Sequence, residues 1–406
     1  MPILFQLNEC LNFSTGKIAQ SIGEVAMLNG WDSYIAYSSR EPLVSCKSKV
    51  IKVGNKLDPY IHYAENLLFD REGLSSRCAT KKLVERIKTI HPDIVQLHSL
   101  HDHWLNYKIL FEYLNTTDIQ VVWTFHDCWA MTGHCMHFVT KNCDRWKTGC
   151  HDCLMKGEYP KTMVDRSRKN WELKKSLFAG CKNLTIAACS DWIADFARES
   201  YLKDKRILTI HNGVDLQIFR PAEVSEGFKE FQAVSGGKFK IIAVSSPWYP
   251  AKGELDIYKL RTMLSEDEYE IIMVGLSAEQ MNNLPAGITG IQRTTNVQEL
   301  VQLYSDADVL INPTYADTFP TVNLEALACG TPVITYKTGG SPEAIDDKTG
   351  VVIEQGNVEA LAEAIKQMRE NPLSSADCRK RAEELFDKDK CFEKYVELYE
   401  ELLHGK

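Results

Sequence analysis

Short apolar, β-rich runs alternate with segments whose apolar positions recur every three or four residues, almost from one end of the 406-residue chain to the other. In the first half, Ile3–Leu7, Tyr34–Tyr37, Ile94–Leu97, Val121–Phe125, Leu184–Ala187 and Ile207–Ile210 read as strands. Between them Ile18, Ile22, Val25 and Ala26, and later Leu83, Ile87 and Ile90, keep helical spacing. In the second half the spacing predicts strands at Lys240–Val244, Glu270–Val274, Val309–Asn312 and Pro332–Thr335, with helices at Glu254–Leu264, Val297–Tyr304 and Val358–Met368. Strands separated by helices imply an α/β fold with a parallel sheet covered on both faces, here twice over.

The chain is too long for one core, and the pattern divides it. A first Rossmann-like domain is expected over 1–220 and a second over 221–385. The boundary falls near Phe219-Arg220-Pro221 and the polar, glycine-containing stretch through Ser235-Gly236-Gly237. A last helix over 386–406 carries Phe392, Tyr395, Leu398 and Leu402 on one face; with no strand to follow, it is expected to pack back on the first domain. Two such sheets facing one another would make a cleft at the carboxyl ends of their strands, where ligands bind. The residues after the first strand, Asn8 to Gly16, do not spell Gly-x-Gly-x-x-Gly, which argues against a nicotinamide dehydrogenase.

The densest chemistry lies in the run from Asp317 through Glu325 to Gly330 and Pro332. A strand leads into a turn bearing Asp317, and a helix carries Glu325 about one and a half turns in. Backbone N–H groups at that helix start favour an anion, so the two acids flank a natural diphosphate site. The bland alternative is that the acids merely stabilise a helix dipole.

The segment resembles the acid–seven residues–Glu signature of glycosyltransferase family 4, the retaining GT-B transferases. Ile210-His211-Asn212-Gly213-Val214-Asp215 is similar to the family's interdomain segment, Thr124-Phe125-His126-Asp127 to its His-Asp strand end, and Pro250-Ala251-Lys252-Gly253 to its phosphate-binding turn. The resemblance spans the chain and is nearest to transferases of bacterial capsular and exopolysaccharide synthesis. It implies a GT-B fold and transfer of a sugar with retention from a nucleoside diphosphate donor, expected to be a UDP-sugar, to a glycan or lipid-diphosphate-linked acceptor. Glu325 would bind the donor ribose, Asp317 the donor sugar, Lys252 the leaving diphosphate and His126 the transferred sugar. The donor would also meet Phe319, Thr321 and Val322, while Gly16 would let the backbone approach its phosphates. No catalytic metal is expected. Three departures bear on the donor sugar rather than the fold. Asp317 stands where the family usually has Glu, and Pro320, which cannot donate, replaces a Gly. Pro247 stands where an Arg is common. A GT-B-shaped epimerase and a non-catalytic nucleotide-sugar-binding scaffold are the alternatives; retention of both acids speaks against the scaffold.

Charge and cysteines change this picture in two places. A net charge of −8 disfavours a nucleic-acid partner. Yet Lys141 to Lys182 holds 11 Lys and Arg against 5 Asp and Glu, which is either a solvated helical face or a surface for a lipid diphosphate or anionic membrane. The amino terminus lacks signal-peptide character and no run is long enough to span a bilayer, so a cytoplasmic protein, peripheral at the inner membrane face, is expected. Of 13 cysteines, five fall within 128–153, an insertion that follows His126 directly. Cys150 and Cys153 have zinc-site spacing, and Cys135 and Cys143 would complete a structural zinc, with His134, His137 and His151 in reserve. Free or redox-active thiols are the alternative. His98, His101 and His103 suggest a structural or acceptor-side role, and Asp306-Ala307-Asp308 the end of a helix rather than a metal site.

Overall fold

The computed structural model describes residues 1–38, 40, 42, 44–222 and 237–405. Ser235 and Gly236, in the linker-like stretch read from the sequence, lie outside the described residues. The chain forms two compact units, Met1–His211 together with the residues from Phe392 onward, and Asn212–Cys391.

The first unit is built on β1 (Ile3–Leu7), β2 (Asp32–Ser38), β3 (Lys49–Val53), β4 (Ile94–Leu97), β5 (Gln120–Phe125), β6 (Leu184–Ala188) and β7 (Arg206–Thr209). They make one seven-stranded sheet in the order β3-β2-β1-β4-β5-β6-β7, parallel at every junction. β4 and β6 are buried along their whole length, as strands covered on both faces must be. Phe111, Trp123 and Phe178 form an aromatic cluster beneath β5, with centroids 4.5–5.6 Å apart.

The second unit is built on β8 (Phe239–Val244), β9 (Tyr269–Val274), β10 (Ile288–Ile291), β11 (Val309–Asn312), β12 (Val333–Tyr336) and β13 (Gly350–Ile353). Its six-stranded parallel sheet runs β10-β9-β8-β11-β12-β13. Helices Glu254–Arg261 and Val358–Glu370 contribute Ile257, Leu260, Leu361 and Ile365 to one core with Ile241, Ile271 and Ile334.

Each sheet reverses its winding once, between β1 and β4 in the first unit and between β8 and β11 in the second. At such a switch point neighbouring connections leave in opposite directions and open a crevice at the carboxyl ends of the strands. The fold therefore singles out the loops after β1, β4, β8 and β11.

The Asn212-Gly213-Val214-Asp215 segment is bound within the second unit. Val214 donates its N–H to Phe386 (2.8 Å) and accepts from Lys388 (3.1 Å), and Asp215 pairs with the Lys388 ammonium at 2.6 Å. A Cβ on Gly213 would lie 2.3 Å from the Lys388 Cα, so the close approach requires glycine. The last helix, Lys388–His404, continues into the first unit. There Tyr399 packs on Trp31 at 5.3 Å and bonds Gln96, and Tyr395 accepts from Thr124 at 3.3 Å.

Candidate active site

In the first unit, β1 and the residues directly after β4 and β5 carry a chain of hydrogen bonds that fixes proton positions. The Gln6 amide donates to the Ala19 carbonyl at 2.9 Å, which turns its oxygen toward His98 Nε2 at 3.1 Å. His98 therefore donates from Nε2 and accepts at Nδ1, where His126 Nε2 lies 3.0 Å away. His126 must then carry its proton on Nε2, leaving the Nδ1 lone pair to accept from a ligand hydroxyl. Burial holds His98 well below the ordinary imidazole range, and neighbouring His126 lowers it further. Burial also lowers His126 to about 4, so it is neutral near pH 7.

Asp127 turns the other way and accepts from His101 at 2.7 Å and from the Trp129 N–H at 2.7 Å. Burial opposes charge on His101, but the Asp127 carboxylate outweighs it and raises His101 to about 9. His103 pairs with buried Glu72. Gly16 lies in the first turn of helix Ser14–Leu28, which has no side-chain cap; a Cβ there would sit 2.5 Å from the Leu11 backbone, so local packing alone requires glycine.

In the second unit, Lys252 ends the turn after β8 and Asp317 lies on the loop after β11, so both flank the switch point. They meet: Lys252 Nζ donates to Asp317 Oδ2 at 2.6 Å. Burial works against charge on Lys252, but Asp317 and then Tyr249 outweigh it and raise its pKa, so Lys252 is a cation. Two glycines make this geometry possible. Gly253, at φ +78°, would place a Cβ 2.1 Å from the Pro313 oxygen; Gly339, at φ +57°, would place one 1.6 Å from the Asp317 oxygen. Tyr315 N–H to Ala251 at 2.8 Å and Gly340 N–H to Thr318 at 3.1 Å pin the same loops.

Helix Thr321–Ala328 begins directly after Pro320 with no side-chain cap, so the backbone at Thr321 and Val322 carries the positive end of its dipole. Phe319 is buried against Phe386 at 5.9 Å, so a ligand would meet its backbone rather than its ring. Glu325 is half-buried and accepts from Tyr304 at 3.0 Å. Asn323, below it, is fixed by Asn312 and Ser341, both at 2.9 Å. Asp306, the last residue of helix Val297–Asp306, pairs with the Lys240 ammonium at 2.7 Å, and Asp308 just beyond accepts from the Lys240 backbone N–H at 2.7 Å.

Sequence reasoning passed over Gln6 and Tyr304. A lone glutamine in the apolar strand Ile-Leu-Phe-Gln-Leu is a usable signal, because a buried amide needs partners. Tyr304 carries no such mark.

The insertion after His126 has little regular structure: between β5 and helix Ser167–Lys174 there are only three short 3-10 turns. Even so, Trp129, Met131, Phe138 and Trp146 are buried, with Phe138 and Trp146 stacked at 4.7 Å. Buried Lys174 donates to the Trp129 carbonyl at 2.7 Å, and burial lowers it to about 7. Cys135, Cys143, Cys150 and Cys153 line one cavity together with His134 and His151. Cys150 Sγ accepts from the Gly133 N–H at 3.2 Å. Burial raises the Cys150 thiol to about 12 and that of Cys153 to about 11. No three of these sulfurs lie within 4.8 Å of one another. Within the first unit, among the described residues, only His62, Glu72 and His103 gather that closely. Both His62 nitrogens are already used there, with the Gly73 N–H and Ser76 Oγ each at 3.0 Å, so the trio is a hydrogen-bonded brace.

Comparison with known proteins agrees with this architecture. Residues 44–218 match the Glycosyltransferase Family 4 model, and residues 228–385 match the model for glycosyl transferases group 1. The Escherichia coli (strain K12) protein WcaC, named as a colanic acid biosynthesis glycosyl transferase, is 26% identical over 369 residues, 87% of each chain. A Campylobacter jejuni N,N'-diacetylbacillosaminyl-diphospho-undecaprenol alpha-1,3-N-acetylgalactosaminyltransferase is 26% identical over 52% of this chain and 58% of its own. Among solved structures, sucrose-phosphate synthase from Thermosynechococcus elongatus superposes with TM-score 0.74 at 16% identity, over 100% of both chains. Anabaena HepE in complex with UDP superposes with TM-score 0.68 at 13% identity, over 98% of this chain and 99% of its own. The two family models between them take in most of both units, and the chain belongs to the GT-B glycosyltransferases, with a family 4 amino-terminal half and a group 1 carboxyl-terminal half.

Proposed function

We propose that the chain transfers a sugar, with retention, from a UDP-sugar to a glycan or lipid-diphosphate-linked acceptor in surface polysaccharide synthesis at the cytoplasmic face of the membrane. The observation that carries this reading is the meeting of Lys252, Asp317 and an uncapped helix start at the second unit's switch point. A cation and free amide dipoles stabilise charge on a departing diphosphate, and they do so without a catalytic metal. The names of WcaC, of the undecaprenol-linked Campylobacter enzyme and of UDP-bound HepE support the acceptor class and the nucleotide.

In this reading Lys252 holds the β-phosphate and leaves Asp317 to take a sugar hydroxyl. Phe319, Thr321 and Val322 offer backbone to the diphosphate, Glu325 binds ribose hydroxyls, and the first turn at Gly16 meets the donor phosphates. His126 accepts a sugar hydroxyl at Nδ1. The basic segment 141–182 makes peripheral contact with the membrane. The insertion binds a structural zinc through Cys135, Cys143, Cys150 and Cys153. Four thiols on one cavity and an N–H donated to Cys150 are the donor chemistry zinc selects, and the ion would draw the sulfurs together.

A panel of nucleotide sugars, offered with and without lipid-linked acceptor, tests the central assignment. Release of UDP from one UDP-sugar, accelerated by acceptor, is expected, with the product anomer matching the donor. Interconversion of the donor without acceptor would favour an epimerase instead, and no turnover across the panel would remove the enzymatic reading.

A further inference from the structure

The helix Asp58–Phe69 is inside out. Its inward side is mostly polar: besides Pro59 the buried residues are His62 and Asn66, and Glu65 accepts from Ser75 at 2.6 Å. Its outward side carries Tyr60, Ile61, Tyr63, Leu68 and Phe69, with Leu57 just before it, each between 47% and 71% exposed. An amphipathic helix on a globular core turns its apolar stripe inward; this one is anchored by hydrogen bonds and turns the stripe to solvent.

A second segment widens the surface. Asn66 Nδ2 donates to the Lys161 carbonyl at 3.2 Å, Thr162 Oγ1 donates to the Asn66 carbonyl at 3.0 Å, and the Met163 N–H donates to Leu67 at 2.7 Å. This strap ties exposed Met163 to the Leu67 backbone, next along the chain from exposed Leu68 and Phe69, and exposed Val164 follows it. Eight exposed apolar side chains on a helix and the strap bonded to it mark an interaction site rather than scattered ordinary surface.

Charge says what covers it. Residues 156–169 carry Lys156, Lys161, Arg166, Arg168 and Lys169 against Glu158 and Asp165, in a chain of net charge −8. Lys156 and Lys161 are exposed, and the Lys156 carbonyl accepts from the Thr162 N–H at 2.9 Å, within the strap itself. Aromatic and aliphatic side chains flanked by lysines suit the headgroup layer of an anionic bilayer, where a helix lies in the plane of the interface. Two copies meeting through this patch about a twofold axis would bring the basic straps of both together.

We infer that the outward face of helix Asp58–Phe69, with the strap Lys161–Val164, is a docking surface for anionic lipid. The inference rests on, and gives a location to, the peripheral membrane contact in the proposed function.

Sedimentation of the full chain with vesicles of phosphatidylcholine, with or without phosphatidylglycerol, tests it. Binding to the anionic vesicles is expected, with ~10-fold or greater loss in the triple variant Tyr60→Ser, Ile61→Ser, Phe69→Ser. Lys156→Glu with Lys161→Glu should weaken binding to anionic vesicles alone. These positions lie outside the donor site, so UDP affinity should be unchanged in both variants, which verifies their folding. Absence of binding to either vesicle would overturn the inference. So would unchanged binding by the triple variant, or a wild-type dimer that the triple variant dissolves. Donor turnover is read separately on the same preparations. Vesicle binding without turnover keeps the surface and removes the transferase reading; turnover on a water-soluble acceptor without vesicle binding does the reverse.

Discussion

Gln6 donates its amide to Ala19, and that single bond sets the direction of every proton from β1 to His126. His126 is neutral because burial lowers it to about 4 from an ordinary value near 6.5. The folded state then binds fewer protons than the unfolded chain between those two values. Stability from this site is fully present above pH 6.5 and is lost as pH falls toward 4. His101 contributes oppositely: with its pKa raised to about 9, its stability is present below pH 6.5 and is lost as pH rises through 9. Urea unfolding from pH 4 to 8 should therefore show a shallower acid-side decline in His126→Gln than in the wild type. Identical slopes in the two proteins would remove His126 from the set of residues held neutral by the fold.

At the scale of elements, the insertion between β5 and helix Ser167–Lys174 has almost no regular backbone bonding to hold its buried aromatic residues in place. A loop this long without strand or helix ordinarily needs a cross-link or a function. With a zinc held by Cys135, Cys143, Cys150 and Cys153, the purified protein should contain about one equivalent of metal. Cys150→Ser should lose it and become susceptible to limited proteolysis within 128–153, since apo structural sites unfold. Less than about a tenth of an equivalent in protein prepared without chelators would refute the zinc and leave free thiols.

The same elements show what the sequence could tell. Central strands such as β4 and β6 were legible because burial on both faces makes them continuous apolar runs. β3, β10 and β13 were missed. All three sit at sheet edges: β3 carries Lys49 and Lys52, and β10 and β13 contain glycine. Helix Asp58–Phe69 escaped because its apolar positions answer to solvent rather than to a core. Asp317, Glu325 and Lys252 could be read from motif spacing, whereas the Lys252–Asp317 contact could not. That contact spans 65 residues and depends on backbones that only Gly253 and Gly339 allow to approach.

For the whole molecule, two parallel sheets each offer one switch point, and chemistry-bearing residues fall at or beside those points: His98 after β4 with His126 bonded to it from the end of neighbouring β5 in the first unit, Lys252 and Asp317 in the second. A doubly wound sheet needs no special motif to make such crevices, so the fold explains where a site stands and the side chains explain what it does. Under the proposed function, the second unit's site works by stabilising a leaving diphosphate, and Lys252 contributes most as that charge accumulates. The most direct measurement compares UDP affinity and transfer rate in wild type and Lys252→Ala, using the donor the nucleotide-sugar panel identifies. Turnover is expected to fall by ~100-fold or more, as for loss of one oxyanion donor, with a smaller loss of UDP affinity. A folded Lys252→Ala protein with unchanged turnover would contradict this role for Lys252.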